Sequence, residues 1–284
     1  MAGLRGAAER VLANLASWPA LSRLAGWLGD RRLPPAILAP LIRAFARLFG
    51  ADLAEASLPP EAYPTFGAFF TRRLREGVRA VAAGPGVVVA PADAKIGAIG
   101  RLPADGRLEQ IKGRTYAIES LLGSAEDAAA FREGVHATLY LSPGMYHRVH
   151  APVGGRVTAW RYVPGRLFPV NAAGVRTVPG LYTRNERVAI FLDAFPHGPV
   201  AVVLVGAANV GRVSLAFADL VTHEGAPAAR FVPEEPIALR RGDEVGVFNL
   251  GSTVVLLVAD PALVPADVAA GHRVRVGQAL WRRT

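Results

Sequence analysis

Cysteine is missing from the sequence of 284 residues, and this absence excludes several kinds of site at once. Without it there are no disulfides, no thiolate metal ligands and no cysteine nucleophile. Long apolar runs are missing as well: no stretch of about 18 uncharged apolar residues occurs, so we expect no transmembrane helix. Arg5, Glu9 and Arg10 interrupt the apolar pattern at the N-terminus, and a secretory signal peptide is therefore not expected.

Acidic residues are few relative to basic ones, with 23 Asp and Glu against 32 Lys and Arg and a formal net charge of +9. This balance favours an anionic partner, either a nucleic acid or an anionic membrane surface. The basic residues are scattered along the chain rather than clustered, which argues against nucleic acid. Hydrophobic residues make up 51% of the chain, which is enough for the core of one large domain.

The first 60 residues have a helical pattern. After Pro34-Pro35, apolar residues recur at helical spacing, and Gly50 is placed to end that helix. The stripe consists of Leu38, Leu41, Ile42, Phe45, Leu48 and Phe49. One interpretation is an interfacial membrane anchor, with Trp18, Trp27 and nearby arginines at the lipid headgroups. The other is an ordinary helical subdomain packed on a core, and the pattern alone does not separate the two.

From about Val87 onward, short runs of Val, Ile and Leu alternate with Gly, Pro and Asp, which predicts β-strands. We expect strands at 87–89, 108–111, 137–141, 156–160, 188–192, 200–205, 244–248 and 253–258. Helices are expected at 61–79 and 118–134. The predicted fold class is α+β: a predominantly β domain of compact antiparallel or mixed sheets with an N-terminal amphipathic helical region.

Four residues stand out as candidates for chemistry. His147 and His150 lie three residues apart in "LYLSPGMYHRVHAPVGG". They could be a metal-binding pair or two structural residues of a loop. Asp93 in "APADAKIG" follows an expected strand, where it could cap a turn or orient a histidine. Ser252 in "LGST" lies at the start of another expected strand. It could be a turn residue or a nucleophile. A serine, a histidine and Asp93 would suffice for a triad, although Ser252 is not in GxSxG.

Eight sequence blocks, spread in order over about residues 60–284, resemble those of the phosphatidylserine decarboxylases. The two most specific are "LSPGMYHRVHAPVGG" and "LGST" near the C-terminus. The others are "FFTRRLR", "PADAKIG", "QIKGRTYAIESLLG", "GRLFPVN", "NERVAI" and "VGAANVGRV". The chain departs from the family at Asp93-Ala94, where the family usually has Asp-Gly.

The resemblance implies that the chain cuts itself between Gly251 and Ser252. In the family the serine hydroxyl attacks the preceding carbonyl, and elimination and hydrolysis leave a pyruvoyl group in place of the serine. His150 matches the family's base for this step and Asp93 the residue that holds its imidazole. The products implied are a β chain of residues 1–251 and an α chain of residues 252–284.

The same resemblance implies the activity: phosphatidylserine forms a Schiff base with the pyruvoyl group, loses carbon dioxide and leaves as phosphatidylethanolamine. His147 matches the family's proton donor for this step, and neither pyridoxal phosphate nor a metal is implied. Tyr146, Arg148 and Phe168 are weaker candidates for contacts with the substrate. The implied domains are a membrane-associating region, 1–60, and a catalytic domain, 61–284.

The implied partners are the anionic cytoplasmic face of the cell membrane, to which the enzyme binds peripherally, and a second copy of the cleaved heterodimer. Three rival functions remain: a serine hydrolase using Ser252 without self-cleavage, a non-enzymatic lipid-binding protein, and a pyruvoyl enzyme acting on a free amino acid. The first predicts one intact chain that fluorophosphonates label. The second is disfavoured because Asp93, His147, His150 and Ser252 are all present. The third would have no use for a basic amphipathic N-terminus.

Overall fold

A computed structural model describes residues 26–27, 29–111, 113–207, 212–222, 226–249 and 252–284. Within these ranges the protein is mostly β, with a few short helices and one longer helix near the N-terminus. The predicted fold class, α+β and predominantly β, is confirmed. Trp18 and the rest of 1–25 lie outside the described residues, so the proposed boundary at residue 60 stays a prediction.

The elements are numbered in chain order. The α-helices are α1 (Pro35–Phe49), α2 (Phe66–Phe70), α3 (Ile118–Leu122), α4 (Ala125–Ala129), α5 (Ala172–Thr177) and α6 (Leu181–Arg184), with a 3₁₀ turn at Pro60–Ala62. The first strands are β1 (Val87–Val89), β2 (Ala94–Arg101), β3 (Arg107–Ile111), β4 (Arg114–Ala117), β5 (Val135–Leu141), β6 (Arg148–His150), β7 (Gly155–Val163), β8 (Arg187–Ala194) and β9 (Gly198–Val205). The remaining strands are β10 (Val213–Leu215), β11 (Ala229–Phe231), β12 (Ile237–Leu239), β13 (Glu244–Phe248), β14 (Ser252–Val258), β15 (Leu263–Pro265), β16 (Arg273–Val274) and β17 (Ala279–Arg283).

A nine-stranded antiparallel sheet organises the domain, in the order β11-β7-β8-β9-β14-β5-β2-β16 with β12 also paired to β7. Strand β14, "STVVLLV", is buried along its whole length and lies between β5 and β9. A continuous apolar run is what a strand covered on both faces requires. The predicted strands are all present, and the longest of them form the middle of this sheet.

The two faces of the large sheet carry separate cores, because successive side chains on a strand point to opposite sides. On one face, Val254 and Leu256 of β14 pack against the two small sheets β10-β13-β6 and β1-β17-β15. On the other face, Val255 and Leu257 pack under the β3-β4 hairpin and the helices α3, α4 and α6. By this alternation the side chain of Ser252 points to the face of the small sheets.

Helix α1 forms as the sequence predicts. Pro35 occupies its first turn, and Gly50 ends it with a left-handed φ of 70° and an N–H bond to the Ala46 carbonyl. Its apolar stripe is divided in two: Leu38 and Ile42 are fully buried in a small third core, whereas Leu41 and Leu48 are exposed. No helix among the described residues is long and apolar enough to cross a bilayer.

Two predicted helices are largely wrong. Over 61–79 only Phe66–Phe70 is α-helical. Beyond it the chain extends and pairs with the segment before it, including a bridge between Ala56 and Leu74. Over 118–134 two short helices form instead of one, because Gly123 ends α3 with a φ of 74° and Ser124 caps α4. In both cases local turns and tertiary pairing outweigh a helical pattern.

Candidate active site

The sequence-predicted residues meet at one end of the large sheet. Strand β14 begins at Ser252, its neighbour β5 ends opposite it at Leu141, and β2, beyond β5, begins at Ala94 directly after Asp93. Adjacent strands are about 4.8 Å apart, so two strand widths place the backbones of Asp93 and Ser252 roughly 10 Å apart. The loop 142–147 and β6 then bring the two histidines to the same end.

Ser252 is buried completely at the head of the central strand. Its Oγ has no hydrogen-bond partner among the residues that the structure describes. A buried hydroxyl without a partner costs about 1–3 kcal/mol, so such a group marks a place where function competes with stability. Gly251, the other half of the predicted cleavage site, lies outside the described residues.

His147 lies beside the approach to Ser252, since its carbonyl accepts a hydrogen bond from the Phe248 N–H at 2.9 Å. The ring is wholly buried and packs on Phe70, with ring centroids 4.2 Å apart. Nδ1 lies 2.8 Å from the Met145 carbonyl and must therefore carry the proton, which leaves a lone pair on Nε2. Within the described ranges that Nε2 has no partner.

Burial lowers the pKa of His147 to about 3; the Met145 hydrogen bond opposes the shift and the charge of Arg72 adds to it. The ring is thus neutral at physiological pH. A neutral imidazole with an unpartnered Nε2 is a base that can take a proton from a group placed beside it.

Unlike the Nε2 of His147, which has no partner among the described residues, the Nε2 of His150 has a hydrogen-bond partner. Its Nδ1 donates to the Gly242 carbonyl at 2.7 Å, and its Nε2 lies 3.2 Å from the hydroxyl of Tyr146, whose ring stacks on it. Burial lowers the pKa of His150, while the Gly242 bond and the charges of Glu244 and Asp93 oppose that shift. Burial also raises the pKa of Tyr146 to about 12, so the phenol stays protonated and acts as the donor.

The hydrogen bond expected between Asp93 and His150 is not formed. Both oxygens of Asp93 are held by Arg79, at 2.9 Å from Nε and 2.5 Å from Nη2, and Oδ1 also accepts from the Val276 N–H. Arg79 in turn binds Glu55 at 2.7 Å. Asp93 remains near His150 through the backbone, because the His150 N–H donates to the Pro91 carbonyl at 2.7 Å.

The weaker candidates lie close to the site but are engaged elsewhere. The guanidinium of Arg148 binds both carboxylate oxygens of Glu244 and the Thr71 carbonyl. Phe168 is buried in the core on the opposite face of the sheet, under the guanidinium of Arg184 at 4.7 Å. Tyr146, by contrast, contacts His150 directly.

Residues that sequence reasoning missed are the arginines around these groups. Arg72 and Arg79 fall within the helix predicted over 61–79, yet Arg72 is buried beside His147 and Arg79 binds both carboxylate oxygens of Asp93. Buried arginines need partners, so a run such as "FFTRRLREGVR" inside an apolar context is itself a signal of a site.

An open cleft of about 360 Å³ runs along the outer side of the site. Tyr146 and His150 form part of its wall, together with Arg73, Arg75 and Glu244. No group of three or more potential metal ligands occurs within the described part of the chain. The arrangement therefore offers a buried hydroxyl and two neutral imidazoles with arginines nearby, a set suited to moving protons.

Comparison with protein families gives one match over most of the chain. The family described as phosphatidylserine decarboxylase matches residues 66–282. This range contains Asp93, His147, His150 and Ser252 together with Arg72 and Arg79, but not Glu55.

Curated relatives match over nearly the whole length of both proteins. A phosphatidylserine decarboxylase proenzyme from Anaeromyxobacter sp. (strain K) is 47% identical over 273 residues, covering 92% of this chain and 93% of the relative. Proenzymes of the same name from Marinobacter nauticus and Pseudomonas aeruginosa (strain LESB58) are 41% and 43% identical, with at least 91% of each chain covered.

Proposed function

The chain belongs to the phosphatidylserine decarboxylase family, and we propose that it converts phosphatidylserine to phosphatidylethanolamine and carbon dioxide with a pyruvoyl group made from Ser252. The observation that carries this proposal is a pair of buried polar atoms. The Ser252 Oγ and the His147 Nε2 lie at one end of the sheet, and both lack a partner among the described residues. A reacting group and a substrate would satisfy them.

In the maturation step, Ser252 Oγ attacks the carbonyl carbon of Gly251 and the peptide C–N bond breaks, leaving an ester and a free amine. Loss of the Ser252 Cα proton then breaks the Cβ–Oγ bond and releases the Gly251 carboxylate. Water replaces the nitrogen of the resulting dehydroalanine, which leaves as ammonia, and a pyruvoyl group remains.

We propose that His150 is the base that takes the proton from the Ser252 hydroxyl. Its Nε2 has a lone pair that the Tyr146 hydroxyl holds, so the base becomes available when that bond opens. Asp93 supports the imidazolium by charge rather than by a hydrogen bond, since its carboxylate raises the pKa of His150 against the larger effect of burial. Arg79 fixes that carboxylate in place.

In turnover the pyruvoyl group would supply a carbonyl that condenses with the substrate amine and withdraws electrons from its Cα. His147 has the protonation state for two tasks. Its neutral Nε2 takes a proton from the substrate ammonium, and the same nitrogen returns a proton to Cα after carbon dioxide has left.

After the cut, the two chains would stay together as a heterodimer, because β14 pairs along its length with β5 and β9 of the larger chain. Strands β16 and β17 of the smaller chain also pair with β2 and β1. We further propose, from the family resemblance, that two such heterodimers associate.

The substrate is a lipid, and we propose that α1 binds the cytoplasmic face of the membrane. Ile37, Leu41 and Leu48 are 58%, 46% and 76% exposed on its outer face. Trp27, 52% exposed, stacks under the guanidinium of Arg31 at 3.7 Å, an amphipathic pair typical of membrane interfaces. The net charge of +9 suits an anionic bilayer.

The intact mass of the purified protein under denaturing conditions tests the proposal. We expect two chains, the smaller beginning at residue 252 with a blocked N-terminus and a mass below that of its serine form. Ser252→Ala should give one chain of full length and no phosphatidylethanolamine. One uncut wild-type chain that a fluorophosphonate labels at Ser252 would instead establish the serine hydrolase.

A further inference from the structure

Arg72 is a buried arginine whose hydrogen bonds are incomplete. The residue lies two positions after the end of α2 and is only 4% exposed. Nη2 donates to the Gly144 carbonyl at 2.9 Å and lies 3.5 Å from the Met145 carbonyl. Its Nε and Nη1 are buried and have no partner in the described ranges.

A second buried arginine shows that this fold can satisfy a guanidinium fully. Arg187 is 3% exposed, and all three of its nitrogens donate to backbone carbonyls at 2.5–2.9 Å. The acceptors are Ser120, Leu121, Thr183 and Asn185. The unused donors of Arg72 are thus a property of its site and point to an acceptor that is not part of the chain.

The position of Arg72 relates it to the reacting residues. Arg72 and His147 share one acceptor, since the Met145 carbonyl lies 3.5 Å from Arg72 Nη2 and 2.8 Å from His147 Nδ1. Phe70, two residues before Arg72, packs on the His147 ring. The guanidinium of Arg72 lies over the ring of Phe69, and that ring packs against Phe45 of α1. Arg72 therefore lies between the proposed membrane helix and His147.

We propose that the free donors of Arg72, Nε and Nη1, bind the phosphodiester of the substrate headgroup; this inference rests on the proposed decarboxylase function. The order of groups matches, because in phosphatidylserine the phosphate lies between the acyl chains and the reacting Cα. Nε and one Nη of a guanidinium form a planar fork that fits two oxygens of a phosphate. Binding the carboxylate instead would stabilise the charge that the reaction must lose, which opposes catalysis.

The test uses Arg72→Lys in the cleaved enzyme, because lysine keeps the charge and can reach the Gly144 carbonyl but has no fork. Calorimetric titration with dihexanoyl phosphatidylethanolamine reports phosphate binding without turnover. We expect its Kd to rise at least tenfold, and KM for dihexanoyl phosphatidylserine to rise by the same factor with kcat little changed. Arg132→Lys, the same exchange at an exposed arginine beyond α4, is the control and should change neither.

An unchanged Kd and KM in a cleaved Arg72→Lys protein would overturn the proposal. A raised KM for phosphatidylserine with an unchanged Kd for phosphatidylethanolamine would also overturn it, because Arg72 would then bind the substrate carboxylate. If Arg72→Lys is not cleaved, the titration compares Ser252→Ala with and without the change. Failure of the decarboxylase function itself would be visible separately, as a wild type that neither cleaves nor releases carbon dioxide.

Discussion

The two histidines of the site differ in what holds their Nε2 atoms. Each has its Nδ1–H fixed by a backbone carbonyl, that of Met145 for His147 and that of Gly242 for His150. The Tyr146 hydroxyl binds the Nε2 of His150, whereas no described residue binds the Nε2 of His147. In the proposed function, His150 would therefore be the base for maturation and His147 the base for turnover.

His147→Ala should give a protein that still cleaves but decarboxylates poorly. General acid–base residues contribute typically about 10²–10⁴-fold, so we expect a kcat loss of that order. Chain masses and the release of carbon dioxide from phosphatidylserine measure the two effects independently. His272→Ala, a change at an exposed histidine, is the control. An uncut His147→Ala chain would show that the roles assigned to His147 and His150 are reversed or shared.

Individual residues were easier to find from the sequence than their partners. Asp93, His147, His150 and Ser252 do converge at one end of the sheet. The partner of Asp93 could not be predicted, because Arg79 reaches it only after the segment 71–79 leaves α2 and runs back past Glu55. Which charged group a carboxylate meets depends on such long-range packing, and a single sequence does not encode it in any local pattern.

At the scale of elements, strands were predicted well because their signal is local. The run from Thr253 to Val258 is apolar and β-branched, and it is a fully buried strand. The extended segment after α2 was predicted as helix because its spacing of apolar and basic residues imitates one. Backbone pairing of Arg73 with Ser57 and of Arg75 with Glu55 decides its conformation, and that pairing is invisible in the sequence.

The C-terminus of α1 touches the loop that carries His147. A Cβ on Gly144 would lie 2.2 Å from the Phe49 carbonyl oxygen, far inside van der Waals contact. Gly144→Ala should therefore push α1 away from the loop and destabilise the protein by about 1–3 kcal/mol. Urea unfolding measures the change, with Gly100→Ala, which has open space around it, as the control. Equal stability of the two variants would mean that α1 and the loop move apart without a measurable cost in stability.

A buried hydrogen bond joins the segment after β14 to the β8–β9 hairpin. Asp260 Oδ2 lies 2.9 Å from Nδ1 of His197 and 3.1 Å from Nε of Arg283. Burial raises the pKa of Asp260, but its hydrogen bonds to His197 and Ala262 and the charge of Arg283 outweigh that effect, so the pKa is lowered overall. The stabilisation is thus present above the ordinary carboxyl pKa and is lost as the pH falls through the lowered value.

Asp260→Asn should weaken the contact between residues 252–284 and the β8–β9 hairpin. Weakening hydrogen bonds to a charged group costs about 1.5–3 kcal/mol, so the urea midpoint at pH 7 should fall. At a pH below the lowered pKa the difference from wild type should shrink, because the wild-type carboxyl is then protonated too. Asp267→Asn, an exposed carboxylate nearby, should have no effect at either pH. A difference that persists in acid would argue against an electrostatic cause.

At the scale of the whole molecule, the outer face of α1 should decide membrane binding. Replacing Ile37, Leu41 and Leu48 by serine should lower binding to phosphatidylserine vesicles at least about tenfold, since each buried aliphatic side chain contributes roughly 1.5–3 kcal/mol. Sedimentation with vesicles of defined composition measures it.

The control for that experiment is Phe195→Ser. Phe195 is 97% exposed but lies in the β8–β9 hairpin, at the end of the sheet opposite to Ser252. If the triple variant binds vesicles as the wild type does, α1 is an ordinary helical subdomain rather than a membrane contact.

The order of strands in the large sheet has a consequence for when the proposed self-cleavage could occur during synthesis. Strands β5 and β9 are made long before β14, yet they become neighbours of one strand only when β14 lies between them. Until the ribosome has delivered that strand, the sheet is divided at its centre and Ser252 has no fixed surroundings. Pairing between distant segments forms slowly, so the proposed cut would be delayed until the fold is complete. The proposed catalytic centre would thus form only on assembly of the sheet, and a misfolded chain would remain uncut.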